Sequence, residues 1–147
     1  MAGDDLMALY SRRLLALAAD IPHLGRLPAP TGSATRRSPQ CGSTVTAHVV
    51  VADGVVTDFA QEVRACALGQ ASAAVLGGAV LGRTPAELAA GRDALRAMLT
   101  EGAPAPDEPF AAAEALTPAR DFPNRHASIL LAWDALLEAM DQAAAPA

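Results

Sequence analysis

Two runs of alternating residues flank an Asp-Gly pair, and they constrain the fold more than any other feature. Residues 44–51 place Val45, Ala47, Val49 and Val51 on one side. Residues 55–63 place Val55, Thr57, Phe59, Gln61 and Val63 on one side. Period-two alternation marks strands with one face buried. Asp53-Gly54 between them supplies the positive φ angles of a two-residue type I′ turn, so the pair reads as a β-hairpin. An antiparallel hairpin brings the start of its first strand beside the end of its second, with Thr44 pairing near Val63.

The pattern changes to helical after Ala65. Residues 66–81 form an apolar helix, too short and too interrupted by Gln70 to span a bilayer. Gly77-Gly78 within it is read as permitting close helix packing. Thr84-Pro85-Ala86-Glu87 is a capping box with proline at the first helical position. The helix it opens runs to about Thr100, with Leu88, Leu95, Met98 and Leu99 inward. Residues 101–109 read as a linker, 110–116 as a short helix and 117–123 as a second loop. The last helix spans about 124–140, on a stripe of Ile129, Leu130, Trp133, Leu136, Leu137 and Met140. Toward the N-terminus, Leu6, Tyr10, Leu14, Leu17, Ala18 and Ile21 predict a helix over residues 4–21, with Asp4 and Asp5 at its start and Pro22 at its end. Residues 22–43 contain Pro22, Pro28, Pro30 and Pro39 and read as a loop or mobile arm, about 22–40, with a short edge strand near 31–37. The tail, 141–147, reads as frayed. The fold class is therefore α+β, a small antiparallel sheet of about three strands with helices on one face, in a single domain over residues 1–147.

Composition narrows the function. Hydrophobic residues make up 52% of the chain and the net charge is −5, which argues against nucleic acid as a partner. All of the basic residues other than histidine are arginine, so no lysine is present for Schiff-base chemistry. The first residues, MAGDD, lack the basic and apolar regions of a secretory signal, so the expected location is cytoplasmic, with no membrane partner. No G-x-S-x-G elbow, P-loop or G-x-G-x-x-G is present, and an enzyme is not expected.

The chemistry then falls to two cysteines. Cys41 lies in the turn before the first hairpin strand, and Cys66 lies where the second strand becomes a helix. The hairpin geometry brings them to the same end of the sheet. A helix N-terminus favours a thiolate at Cys66, and Arg64 adds to that effect. Two thiolates fall short of the four ligands of a tetrahedral site. The other candidates are His126, Ser128, His23, His48 and Ser43. His48 is mid-strand and reads as facing solvent. His23 reaches the site only if its loop folds back. The bland alternative is a pair of inert buried thiols and a surface histidine capping a helix.

Several segments resemble the NifU/IscU family of iron–sulfur cluster assembly scaffolds, closest to the SufU branch. Leu9-Tyr10-Ser11-Arg12-Arg13-Leu14-Leu15 and Ile21-Pro22-His23-Leu24-Gly25 are similar to its opening helix and loop. Pro39-Gln40-Cys41-Gly42-Ser43 resembles its P-x-C-G-D loop, and residues 66–73 resemble its G-C-x-I-x-x-A-S-A segment. Phe122-Pro123-Asn124-Arg125 with Ala132-Trp133-Asp134-Ala135-Leu136 resembles its ending. The resemblance covers residues 9–138, in order. It implies a metal site of three cysteines and an aspartate holding zinc or a labile iron–sulfur cluster. It also implies a cysteine desulfurase and apo-protein cluster acceptors as partners. By position Cys41 and Cys66 match, whereas the aspartate falls on Ser43 and the third cysteine on Ser128. The expected metal ligands are Cys41, Cys66 and His126, with Cys66 as sulfur acceptor and Ser43 and Ser128 as degenerate ligand positions. His126 and Ser128 point about 200° apart on a regular helix, so both face the site only if the helix begins after them. The alternatives are a degenerate adaptor that docks on a desulfurase or apo-target without metal, and a zinc-binding regulator.

Overall fold

The structure is a computed structural model that describes residues 10–39 and 42–144. In chain order the elements are α1 (Arg12–Ala19), β1 (Gly32–Arg37), β2 (Thr44–Ala52), β3 (Val55–Arg64), α2 (Ala67–Gly77), α3 (Pro85–Glu101), 3-10 segments Ala111–Asp121 and Pro123–Arg125, and α4 (His126–Ala144). The sheet has order β1-β2-β3, antiparallel throughout. Val45, Ala47 and Val49 turn inward against the helices, and α4 is the helix that packs across β1 and β2. This is the expected α+β arrangement, with helices on one face of three strands.

The hairpin forms around Asp53 (φ 53) and Gly54 (φ 80), both left-handed as a type I′ turn requires. Its register is Thr44↔Arg64 and Val45↔Val63, interrupted by a shift between Val50 and Val51. Val50 opposes Asp58 and Val51 opposes Val56, so Thr57 is an extra residue. The bulge reverses the inward set beyond it: Val56 is buried and Thr57 exposed, contrary to unbroken alternation. Gln61 remains inward as expected and is fully buried. Its Nε2 donates to the carbonyls of Pro22 (3.2 Å) and Ala73 (3.1 Å), which ties the 22–25 segment and α2 to the sheet. Gly77 ends α2 and lies against this amide and Pro22, so the close approach there is to Gln61 and not to another helix.

The edge strand forms where expected, within the proline-rich segment. A Cβ at Gly32 would collide with the Ala139 carbonyl and Ala143 amide of α4. Gly32→Ala is therefore expected to lower stability by about 1–3 kcal/mol, as overpacking does. Urea unfolding followed by circular dichroism measures it.

Several helix boundaries differ from the periodicity. Ser11 starts α1 by accepting from the Leu14 amide at 3.2 Å, and Asp20 ends it ahead of Ile21-Pro22, where α geometry is disfavoured. The expected helical residues 4–9 lie outside the described ones. The capping box at Thr84 and Glu87 is present in both directions. Residues 117–121, expected as loop, continue the 3-10 segment. Leu116 and Ala119 are buried within that segment, and Arg120 Nε donates to the Met98 carbonyl at 2.8 Å near the end of α3. The last helix extends through Ala144, beyond the expected end at Met140. No described helix is long and apolar enough to cross a membrane.

The outer sheet face is polar and ordered. His48 Nε2 donates to Glu62 at 3.0 Å, its Nδ1 is hydrogen-bonded to the Ser33 hydroxyl at 2.8 Å, and Arg26 Nε donates to Glu62 at 2.9 Å. His48 lies on the outer face, yet its side chain is only 12% exposed, because these neighbours enclose it. His23 (φ 63) packs edge-on against Phe59 at 6.0 Å.

Candidate functional site

The end of the sheet at Thr44 and Arg64 gathers three of the expected site residues. Ser43 enters β2, Cys66 leaves β3 and caps α2, and Ser128 lies in the first turn of α4. Ser128 Oγ is 3.6 Å from Cys66 Sγ and 3.1 Å from Ser43 Oγ. Ser43 and Ser128 are 5% and 2% exposed, while Cys66 is half-buried. The two serines thus stand beside the thiol in a chain of hydrogen bonds.

Glycine makes this proximity possible. A Cβ at Gly69 would lie 2.9 Å from Ser128 Oγ and 3.2 Å from its carbonyl oxygen. Its absence lets the first turn of α4 approach the first turn of α2. Deeper in the same helix pair, Ser72 Oγ donates to the Ile129 carbonyl at 2.6 Å and accepts from Trp133 Nε1 at 3.0 Å. These bonds fix the height of α4 against α2, and with it the position of Ser128.

The loop before β2 is closed by its backbone. The Ser38 amide donates to the Ser43 carbonyl at 2.8 Å, and the Gly42 amide donates to the Ser38 carbonyl at 2.9 Å, with Gly42 at φ 73. Cys41, expected as a ligand from this loop, lies outside the described residues.

The electrostatics favour a reactive thiol. Burial pushes the Cys66 pKa up, but the Gly69 amide, the Ser128 hydroxyl, the Leu68 amide and the Arg125 charge together hold it below the usual cysteine value. The helix N-terminus acts as expected. The charge that acts is Arg125's, contributed by the turn before α4, where Arg64 was the expected source. Arg125 stands in the Phe122-Pro123-Asn124-Arg125 motif, but nothing in its spacing revealed that it would approach Cys66.

His126 is placed differently from the expected ligand. It is the first residue of α4, so it and Ser128 are on the same helix and diverge around it. Its Nε2–H donates to the Ala119 carbonyl at 2.9 Å, while Ser128 turns to Cys66. Among the described residues, no group of three or more His, Cys, Asp or Glu side chains is arranged to hold a metal ion. The described part of the site therefore offers one good soft donor, Cys66, and two neutral hydroxyls.

No family model matches the chain. Comparison with known proteins nevertheless gives a consistent result. The crystal structure of a nitrogen-fixing NifU-like protein (N-terminal) from Brucella abortus is 46% identical and superposes with a TM-score of 0.91, covering 95% of this chain and 96% of that one. A candidate scaffold protein for iron–sulfur cluster assembly in the SUF system of Fervidobacterium islandicum shares the fold at 21% identity and a TM-score of 0.79, covering 88% of this chain and 94% of its own. The iron–sulfur cluster assembly scaffold protein IscU of Thermotoga maritima is 25% identical over 138 residues, which are 94% of this chain and 96% of that protein. The chain belongs to the NifU/IscU-like family of iron–sulfur cluster assembly scaffold proteins.

Proposed function

We propose that the protein is a scaffold-like component of iron–sulfur cluster assembly, in which Cys66, with Cys41, holds iron or a labile cluster as cargo and accepts sulfur. The observation that supports this most is the convergence of Cys66, Ser43 and Ser128 at one end of the sheet, within the fold of the scaffold family. The partners are a cysteine desulfurase as sulfur source and apo-proteins as cluster acceptors. The protein itself acts as a carrier in the cytoplasm and not as an enzyme.

Cys66 suits the sulfur-accepting step. Its thiolate attacks the outer sulfur of a partner's cysteine persulfide. A new S–S bond forms on Cys66, the partner's S–S bond breaks, and the partner's thiolate departs. The step needs no external oxidant or reductant. The same groups that lower the thiol pKa, the Gly69 and Leu68 amides and the Ser128 hydroxyl, are placed to stabilise the anionic sulfur.

Incubation with a cysteine desulfurase and its cysteine substrate is expected to add the mass of one sulfur atom to Cys66, read by mass spectrometry of the intact protein and its peptides. The Cys66→Ala variant is expected to lose at least nine-tenths of that label, roughly the loss of a single acceptor thiol. Equal labelling of the variant would remove Cys66 from the sulfur path.

A second reading is supported by the serine pair. Hydroxyls are weak ligands for zinc and iron, and here they bond each other at 3.1 Å. The chain then serves as an adaptor that docks on a desulfurase or an apo-target without carrying metal. Metal content after purification without chelator, and again after anaerobic reconstitution with iron and sulfide, separates the readings: iron in either favours the scaffold, stoichiometric zinc as purified a zinc-binding regulator, and neither metal in both the adaptor.

A further inference from the structure

The arginines of this acidic chain are unevenly satisfied. Arg13, Arg26, Arg36, Arg83 and Arg92 each pair with a carboxylate, and Arg120 donates to the carbonyls of Met98 and Ala103. Among the described residues, Arg37, Arg64 and Arg125 enter no ion pair. Arg12 and Arg96 also lack one, but they stand apart on α1 and α3. Arg37, Arg64 and Arg125 converge on the Cys66 end of the sheet.

Their placement follows from the register. Arg37 pairs with Thr44, and Thr44 pairs with Arg64, so the two arginines lie in one row on the outer face. Two strand spacings separate them, about 10 Å. Cys66 follows Arg64 by two residues, and the charge of Arg125, in the turn before α4, also acts on Cys66. Both Arg37 and Arg64 are exposed. The nearby acids are already engaged: Glu62 by His48 and Arg26, and Glu138 by Arg36. Ser43 and Ser128, the buried polar groups beside the thiol, carry no charge to offset the arginines. Arg37 and Arg64 lie within about one Debye length of each other on the outer face and attract an anion, and Arg125 adds positive charge at Cys66.

We propose that this arginine rim recruits the reacting partner of Cys66 through an acidic segment that flanks the partner's own reactive sulfur. The inference rests on Cys66 as the sulfur-accepting thiol, and it adds the chemistry by which the partner is recognised. Arg37 and Arg64 act on encounter, before any bond changes, so their effect is on association and is sensitive to salt.

The test uses the full chain with Cys41→Ser, so that Cys66 is its sole thiol. Two cysteine peptides are activated as mixed disulfides with 2-thiopyridine, one with aspartates flanking the cysteine and one with serines. Cys66 attacks the peptide sulfur, forms the new disulfide and releases pyridine-2-thione, whose absorbance reports the rate. At low ionic strength the acidic peptide is expected to react roughly tenfold faster than the neutral one, within the range of electrostatic steering. The advantage is expected to fall toward unity with added salt and in the Arg37→Gln/Arg64→Gln variant, while the neutral peptide reacts at an unchanged rate. Equal rates for the two peptides in the unsubstituted background, or a preference that survives both substitutions, would overturn the inference. Cluster assembly is read separately by iron and sulfide reconstitution. A cluster that forms without peptide preference removes the docking inference alone, and a preference without a cluster leaves docking in place and removes the scaffold reading.

Discussion

The Ser43→Asp/Ser128→Cys variant is expected to retain zinc at least roughly a hundredfold more tightly than the unsubstituted protein, since even groups one shell out from a metal carry ten- to hundredfold effects. The reasoning is local. Ser43 and Ser128 stand 3.1 Å apart, and Ser128 is 3.6 Å from Cys66. Replacing two hydroxyls there by a carboxylate and a thiolate adds two negative charges and a soft donor beside an existing thiolate. Zinc takes four such ligands in a tetrahedral site. Both positions are nearly closed to solvent, at 5% and 2% exposure, so an unpaired carboxylate is costly there without metal. The metal-free variant should therefore unfold at a lower temperature than the parent. Zinc at a hundredfold excess over its Kd should return roughly 2.7 kcal/mol. Isothermal titration and thermal unfolding with and without zinc measure both effects. If the variant binds zinc no better than its parent, Ser43 and Ser128 are not placed where metal ligands can act with Cys66.

The second large effect concerns the joint that holds the site together. Trp133→Ala is expected to cost about 3–5 kcal/mol, a large share of a stability that for most domains is about 5–15 kcal/mol. Trp133 is 1% exposed and meets Phe110 edge-on at 5.0 Å. Its Nε1–H also donates to Ser72, which bonds the Ile129 carbonyl. Trp133→Phe keeps most of the packing and removes the donor, so it should cost less, about 1–2 kcal/mol. Because Trp133 is the chain's one tryptophan, circular dichroism must follow the denaturation in both cases. A loss below about 1 kcal/mol for the alanine variant would show that α2 and α4 are held by other contacts.

The sequence made the framework legible where local chemistry determined local geometry. Asp53-Gly54 specified the turn, the capping box specified the start of α3, and the hairpin placed Cys66 at the end of the sheet where the segment leading into β2 begins. The bulge at Thr57 was not legible, because alternation reads the same until a residue is inserted opposite Val50 and Val51. The 3-10 continuation through Pro118 was also hidden, since it depends on burial of Leu116 and Ala119 and on Arg120 reaching the end of α3. At the site, Ser128 was located by resemblance, but its contact with Cys66 needs the absent side chain of Gly69. His126 illustrates the limit of residue type as a guide. Its donor reaches the Ala119 carbonyl because the helix begins at His126 itself. That Arg37, Arg64 and Arg125 enter no ion pair among the described residues is likewise a tertiary fact, visible only once Arg26 and Arg36 have engaged Glu62 and Glu138.

Two buried neutral hydroxyls beside a thiol with a lowered pKa favour sulfur acceptance and weak metal affinity in the proposed scaffold role. Anaerobic reconstitution with ferrous iron and sulfide tests this most directly. The parent is expected to develop sulfur-to-iron charge-transfer absorbance that a chelator removes readily. Cys66→Ala should abolish it, and Ser43→Asp/Ser128→Cys should make it persist. Absence of that absorbance in the parent under anaerobic conditions, or its undiminished presence in Cys66→Ala, would contradict the account.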